Sequence, residues 1–234
     1  MNRQSRIIEA AILSVGLILM GQLIKSGMDN FTGKDQKVTV KGLSEMEVDA
    51  DMITWPIVSK EIGDNLPSLY ERINSTTSDI KAFLKENGIQ EEDISVGAPV
   101  VIDLSAERYG SNDHNYRYNI TSVITVKSSQ VSLVRGIIDR QGELLKKGIA
   151  IVDGGYENPI KYDYISFQDL KPQMMEEAIA NAQSTAAQFA QNSSSKLGKI
   201  VSASQGQFSI EDRDSNTPNI KKIRVVTTIT YQLK

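Results

Sequence analysis

The chain has 234 residues, 26 Lys and Arg against 29 Asp and Glu, 40% hydrophobic and 24% charged residues, and no cysteine. This apolar content is too high for a disordered chain, and zero cysteine excludes disulfides, thiol nucleophiles and Cys-based zinc or iron–sulfur sites. A formal charge of −3 leaves no basic footprint for nucleic acid, and a single histidine, His114, argues against a His-rich metal site or a His-dependent triad.

The first element is apolar. Ile7 to Ile24 reads IIEAAILSVGLILMGQLI, interrupted only by Glu9 and Gln22, with Arg3 and Arg6 before it and a polar stretch from Lys25 to Lys37 after it. At about 1.5 Å per residue this run falls slightly short of a hydrocarbon core of roughly 30 Å, and Glu9 in its first turn can reach the interface. A cleaved signal would end in a small-x-small site, and Gly21 to Gly27 offers none that is clean. The expectation is an uncleaved signal anchor over residues 1–30, with a cleaved signal and a soluble periplasmic product as the alternative. Arg3 and Arg6 place that end in the cytoplasm of a single-pass inner-membrane protein. Residues 31–234 would then be the exported, periplasmic domain. Without Arg3, Arg6, Lys25, Glu9 and Asp29 that domain carries 23 basic and 27 acidic residues, which disfavours docking on an anionic surface.

Further elements follow in chain order. Lys37–Gly42 alternates and predicts a strand, and Glu45–Ile62 continues it, with a break at Asp49-Ala50-Asp51 and an edge or bulge at Pro56. A helix is expected from Asp64-Asn65 to Asn87-Gly88, with Leu66, Leu69, Tyr70, Ile73, Ile80, Phe83 and Leu84 on its apolar face. Two long strands, Ile94–Tyr109 and Tyr116–Lys127, flank a polar turn, Gly110–Asn115. On the second, Tyr116, Tyr118, Ile120, Ile124 and Val126 share the inward face. The spacing predicts a helix over Gln130–Lys147, whose apolar face runs from Val131 to Leu145, a strand over Asn158–Phe167, and a long helix over Lys171–Leu197. On that helix Met175, Ala178, Ile179, Ala182, Ala186 and Phe189 would face a sheet. Lys199–Glu211, a turn at Asp212–Asn219 and Ile220–Leu233 complete the chain, with Ile223, Val225, Ile229, Tyr231 and Leu233 inward. Helix, long strand, turn, long strand recurs in Leu66–Lys127 and Lys171–Leu233. The pattern predicts an α+β fold of antiparallel sheet with helices on one face, built from two similar units in one compact domain, plus the N-terminal transmembrane helix.

No cluster reads as chemistry. His114 lies at a hairpin tip; Glu91-Glu92-Asp93 follow a helix end and face solvent; Asp49 and Asp51 fit turn formers. Gly154-Gly155 lacks phosphate-loop context, and Ser193-Ser194-Ser195 lacks a nucleophile elbow. Lys221, Lys222 and Arg224 read as guards of an edge strand. Asn-x-Ser/Thr matches at Asn30, Asn74, Asn119 and Asn192 carry no weight. Accordingly no catalytic, cofactor or metal residue is expected, no cofactor and no nucleic-acid partner. A hydrolase reading would have to rest on Asp103, Glu107 and His114.

Three segments carry a resemblance. Val38-Thr39-Val40-Lys41-Gly42 followed by Asp49-Ala50-Asp51-Met52-Ile53 is similar to the opening of SIMPL-domain proteins. Leu84 to Ile94 resembles that family's L-x-x-x-G-I-x-x-x-D-I helix end. Glu177-Ala178 through Ala182, Ala186 and Ala190 to Leu197-Gly198-Lys199-Ile200 resembles its Ala-rich helix and L-G-K entry into a strand. Ala50 departs from the Pro common at that position, and Pro99–Tyr116 has no counterpart. The resemblance implies an exported or envelope-associated protein that self-assembles, some members being linked to oxidative-stress tolerance; together with the apolar N-terminal run and the lack of a site, the expectation is a non-enzymatic, membrane-anchored periplasmic protein. A ligand-binding module using a groove between the two repeated units is the alternative.

Overall fold

The structure is a computed structural model that describes residues 3–32, 36–106 and 116–234, with the side chains of the first helix described over 12–27. That helix, α1 (Arg3–Thr32), is about 45 Å long at 1.5 Å per residue. The expected apolar run lies within it, although the side chains of its residues 7–11 lie outside the described part. Ile12, Leu13, Val15, Leu17, Ile18, Leu19, Met20, Leu23 and Ile24 are all exposed. Among the described residues no helix is long and apolar enough to cross a membrane.

The chain divides into two compact units, one built from residues up to Met46, Leu170–Ser209 and Ile223–Lys234, the other from Glu47–Asp169 and Ile210–Lys222. Both are antiparallel sheets with helices, so the fold is mixed α+β.

In the first unit β1 (Lys37–Asp49), β10 (Ile220–Leu233) and β8 (Leu197–Gln205) lie in the order β1-β10-β8; β9 (Ser209–Asp212), which from Ile210 on belongs to the second unit, pairs with β10. Alternation puts Val38, Val40, Ile229, Tyr231 and Leu233 into one core with Ala182, Ala186 and Ala190 of α5 (Phe167–Asn192). The expected inward set of β10 is buried throughout. On α5 the buried face is Met174, Ala178, Ala182, Ala186 and Ala190, whereas Ile179 and Phe189, expected inside, are exposed. Gly42 explains this. A Cβ there would lie 1.8 Å from the Ala178 carbonyl and 2.5 Å from the Ala182 nitrogen, so at positions 178 and 182 helix and strand backbones approach too closely for a side chain larger than Ala. Ser44 Oγ donates to Glu177 Oε2 at 2.7 Å, and Asn181 Nδ2 to the Leu43 carbonyl at 2.8 Å, fixing the same approach.

α5 also ends earlier than Leu197. Ser194 takes φ 55°, its N–H donates to the Gln191 carbonyl at 3.2 Å and that of Ser195 to Ala190 at 2.9 Å. This is a Schellman closure with serine in the left-handed position where glycine is usual.

In the second unit β2 (Met52–Gly63) pairs with β5 (Tyr118–Ser128) over an unbroken register from Ile53↔Ser128 to Gly63↔Tyr118. Outside β5 lie β3 (Ile94–Val96) and β4 (Val100–Asp103); outside β2 lie β6 (Ile151–Val152) and β7 (Lys161–Asp163). Ile53, Trp55, Ile57, Ile124 and Val126 meet Ile80, Phe83 and Leu84 of α2 (Leu66–Glu86), Val134 and Ile137 of α3 (Val131–Ile138) and Leu144 of α4 (Gly142–Lys146).

Several expected elements change here. The strand from Ile94 is broken at Gly97–Pro99 into β3 and β4, since Pro99 cannot donate to a ladder; its end and the expected turn, residues 107–115, lie outside the described residues. The Gln130–Lys147 helix splits at residues 139–141, where Arg140 and Gln141 donate to carbonyls only three residues back. The Asn158–Phe167 strand shrinks to β7 because α5 already begins at Phe167. Leu66, Tyr70, Tyr116 and Leu145, expected to face a core, are exposed. Asn65 and Asn87-Gly88 cap α2 as expected: Asn65 Oδ1 accepts from Ser68 N, and Gly88 has φ 95°.

Candidate functional site: a groove at the edge of β2

A concavity of about 550 Å³ opens beside β2 in the second unit, with Trp55 and Pro56 at its base and Leu145, Ile151, Val152, Pro159 and Ile160 around them. It exists because one strand is interrupted. Residues 151–152 pair with Ser59 and Val58 and residues 161–163 with Thr54 to Met52, while Asp153 to Ile160 loop outward. β2 is therefore bare at Trp55, Pro56 and Ile57.

Ladder geometry explains the proline. The Val123 carbonyl accepts from Gly97 N–H at 2.9 Å, so at Val123 β5 turns its polar groups away from β2. Val123 pairs with Val58, and alternation turns the backbone groups of Thr54, Pro56 and Val58 away from β5. β7 covers Thr54 and β6 covers Val58. Only Pro56 faces the gap, and proline has no N–H to strand there. The register with β5 carries no bulge, so of the two expectations for Pro56 the edge is the one observed.

The outward loop is held by its own turns. Asp153 Oδ1 accepts from Gly155 N at 3.1 Å, and Asn158 N donates to the Gly154 carbonyl at 3.1 Å. A Cβ on Gly154 would lie 2.4 Å from the Asn158 oxygen, and Gly155 has φ 56°. The Gly-Gly pair thus shapes a groove wall. Trp55 is 2% exposed. Asp153 is the only charged residue of the lining.

The carboxylate and lysine candidates are not among the residues that line the groove. Glu91 is clasped by Lys81, at 2.8 Å, and by Lys85, and these hydrogen bonds, Lys81 first, hold its pKa at about 2. Asp103 is likewise lowered to about 2, chiefly by Arg117 and then by Ser105; Arg117 Nη2 lies 2.9 Å from its Oδ2. Glu107 and His114 lie outside the described residues, so the hydrolase set is not assembled among those that are. Asp51 is a turn former that also accepts from the N–H groups of Ile165 (2.7 Å) and Ser166 (2.8 Å). Burial pushes its pKa upward, but hydrogen bonds from the Ser166 hydroxyl and these amides together leave it lowered. Lys221 is no edge guard: β10 is an inner strand, and Lys221, 8% exposed, pairs with Asp212 while Arg224 pairs with Glu45. Among the described residues no group of three or more His, Asp or Glu is placed to hold a metal ion.

A family model described as "Protein of unknown function (DUF541)", the SIMPL model, matches residues 38–231. The chain belongs to the SIMPL family. No curated protein matches it. The motifs that carry the SIMPL resemblance have structural reasons in this chain. Gly42 closes the opening strand against α5. Leu84, Gly88 and Ile89 form a Schellman closure, Gly88 N donating to Lys85 and Ile89 N to Leu84, both at 3.0 Å, with both apolar side chains in the core. Gly198 lies where a Cβ would meet the Gln232 carbonyl at 2.7 Å. The groove was not legible as a site; its only traces in the sequence were Pro56 within a strand and the Gly154-Gly155 pair.

Proposed function

We propose that this SIMPL protein is a non-catalytic envelope protein, anchored in the inner membrane by α1, with its two folded units on the periplasmic side. The observation that carries the proposal is the apolar surface of α1, exposed from Ile12 to Ile24. In water such a surface is costly at about 25 cal/mol per Å², and a bilayer removes that cost. Arg3 and Arg6 ahead of the run favour a cytoplasmic N-terminus.

Self-association is the second part of the proposal. Its support is β4, an outer strand whose Val100, Val101 and Ile102 are all exposed. The sheets share a strand arrangement: β5 lies between β2 and the hairpin strands before it, and β10 lies between β1 and β8. This favours reading the units as two copies of one pattern. With no thiol in the chain, any share in oxidative-stress tolerance is indirect.

Flotation of the full chain with phospholipid vesicles tests the anchor. The wild type is expected in the lipid fraction, and Leu17→Arg, near the helix midpoint, is expected to weaken partition by about 3 kcal/mol, or roughly 100-fold. Recovery of the wild type in the lipid-free fraction would contradict the reading.

A further inference from the structure

We propose that Asn87 is a covalent modification site, a deamidation centre that the C-terminal closure of α2 holds inactive in the folded chain. The site is independent of the anchor. Asn87-Gly88 is the single Asn-Gly pair in the sequence. Glycine carries no Cβ and leaves the nitrogen that follows the asparagine unshielded. In the reaction the Gly88 nitrogen, its proton passed to water, attacks Asn87 Cγ. A C–N bond forms, the Cγ–Nδ2 bond breaks, and ammonia leaves with a proton taken back from water. A second water then opens the cyclic imide. Opening at Cγ gives aspartate, and opening at the main-chain carbonyl gives isoaspartate, whose backbone runs through the side chain.

Both reacting groups are tied down at the end of α2. Asn87 Nδ2 donates to the Phe83 carbonyl at 2.8 Å, and Gly88 N donates to the Lys85 carbonyl at 3.0 Å. Asn87 has φ −93° and ψ 8°. That ψ turns the Gly88 nitrogen toward the backbone nitrogen of Asn87 and away from its Cβ, so closing the ring needs rotation about the Cα–C bond. The rotation breaks the hydrogen bonds of Gly88 and Ile89 to Lys85 and Leu84 and draws Ile89, 3% exposed, out of the core it shares with Leu84. Asn87 is half-buried and Gly88 exposed, so water reaches the pair once the turn opens. The reaction is therefore gated by local opening of this helix end. Neither product restores the full closure. Aspartate has no amide to donate to Phe83 and sets a negative charge at a helix C-terminus, and isoaspartate adds a backbone atom to the turn. Modification is thus a one-way loosening of α2.

The test incubates the full chain in detergent at one pH and temperature, with and without enough urea to unfold it, and follows Asn87 by peptide-mapping mass spectrometry. Conversion in the folded chain is expected to be at least tenfold slower than in urea, tenfold being about 1.4 kcal/mol of opening free energy. Ile89→Val trims the apolar contact of the closure and leaves the Asn-Gly pair intact. It should speed conversion in the folded chain by roughly fivefold and leave the rate in urea unchanged. Converted chain, returned from urea, should unfold at a lower urea midpoint than unconverted chain treated alike. No conversion in urea would overturn the site. Equal rates in the folded and unfolded chain, or no acceleration by Ile89→Val, would overturn the gate, and an unchanged midpoint would overturn the loosening.

Discussion

Glycine 42 shows how much one missing methyl group decides. Gly42→Ala places a Cβ 1.8 Å from a helix carbonyl, so β1 and α5 must separate; a loss of about 3 kcal/mol is expected in urea unfolding, the upper range for overpacking. Ser194 marks the opposite case, a side chain held at φ 55°. Ser194→Gly should gain about 0.5–1 kcal/mol, because relief of the left-handed conformation exceeds the added freedom of the unfolded chain. Glu91, Asp103 and Asp214 are each held at about pKa 2, Asp214 first by the Thr217 hydroxyl and then by Arg213. Their folded pKa values lie below the unfolded ones of about 4, so their contribution is complete above pH 4 and lost as pH falls toward 2. Acid unfolding followed with and without Asp103→Asn should therefore show a shallower decline for the variant across that window. Glu91 and Asp214 are exposed and Asp103 is half-buried, and high salt should flatten the same slope.

At the scale of elements, local rules were legible and packing was not. The caps of α2 stood in Asn65 and Asn87-Gly88, and the alternation of β10 gave its whole buried face. Periodicity alone could not choose between Met174 and Met175, or between Ala190 and Phe189, as the inner positions of α5. The approach of Gly42 makes that choice, and it comes from a strand more than a hundred residues away. The same limit hid the groove, since Pro56 announces an unpaired edge but not the loop that walls it. Lys221, expected at an edge, sits on a strand that lies between β1 and β8, which its local sequence does not show. The exposed edge strand β4 belongs to this scale too. If it mediates self-association, Val101→Lys should shift the full chain in detergent toward smaller species in sedimentation velocity, with circular dichroism unchanged; identical sedimentation would remove β4 as the contact.

For the whole molecule, SIMPL membership joins two antiparallel α+β units to one long N-terminal helix. In the proposed function α1 sits in a bilayer and the two folded units lie on the periplasmic side of it. The anchor carries the account, because a cleaved signal would give a soluble product with the same folded units. Intact mass spectrometry of the protein extracted from its native membrane decides between them. The account predicts a mass that includes α1, 25.8 kDa for residues 1–234. A mature chain beginning between Ser26 and Asn30 would contradict it.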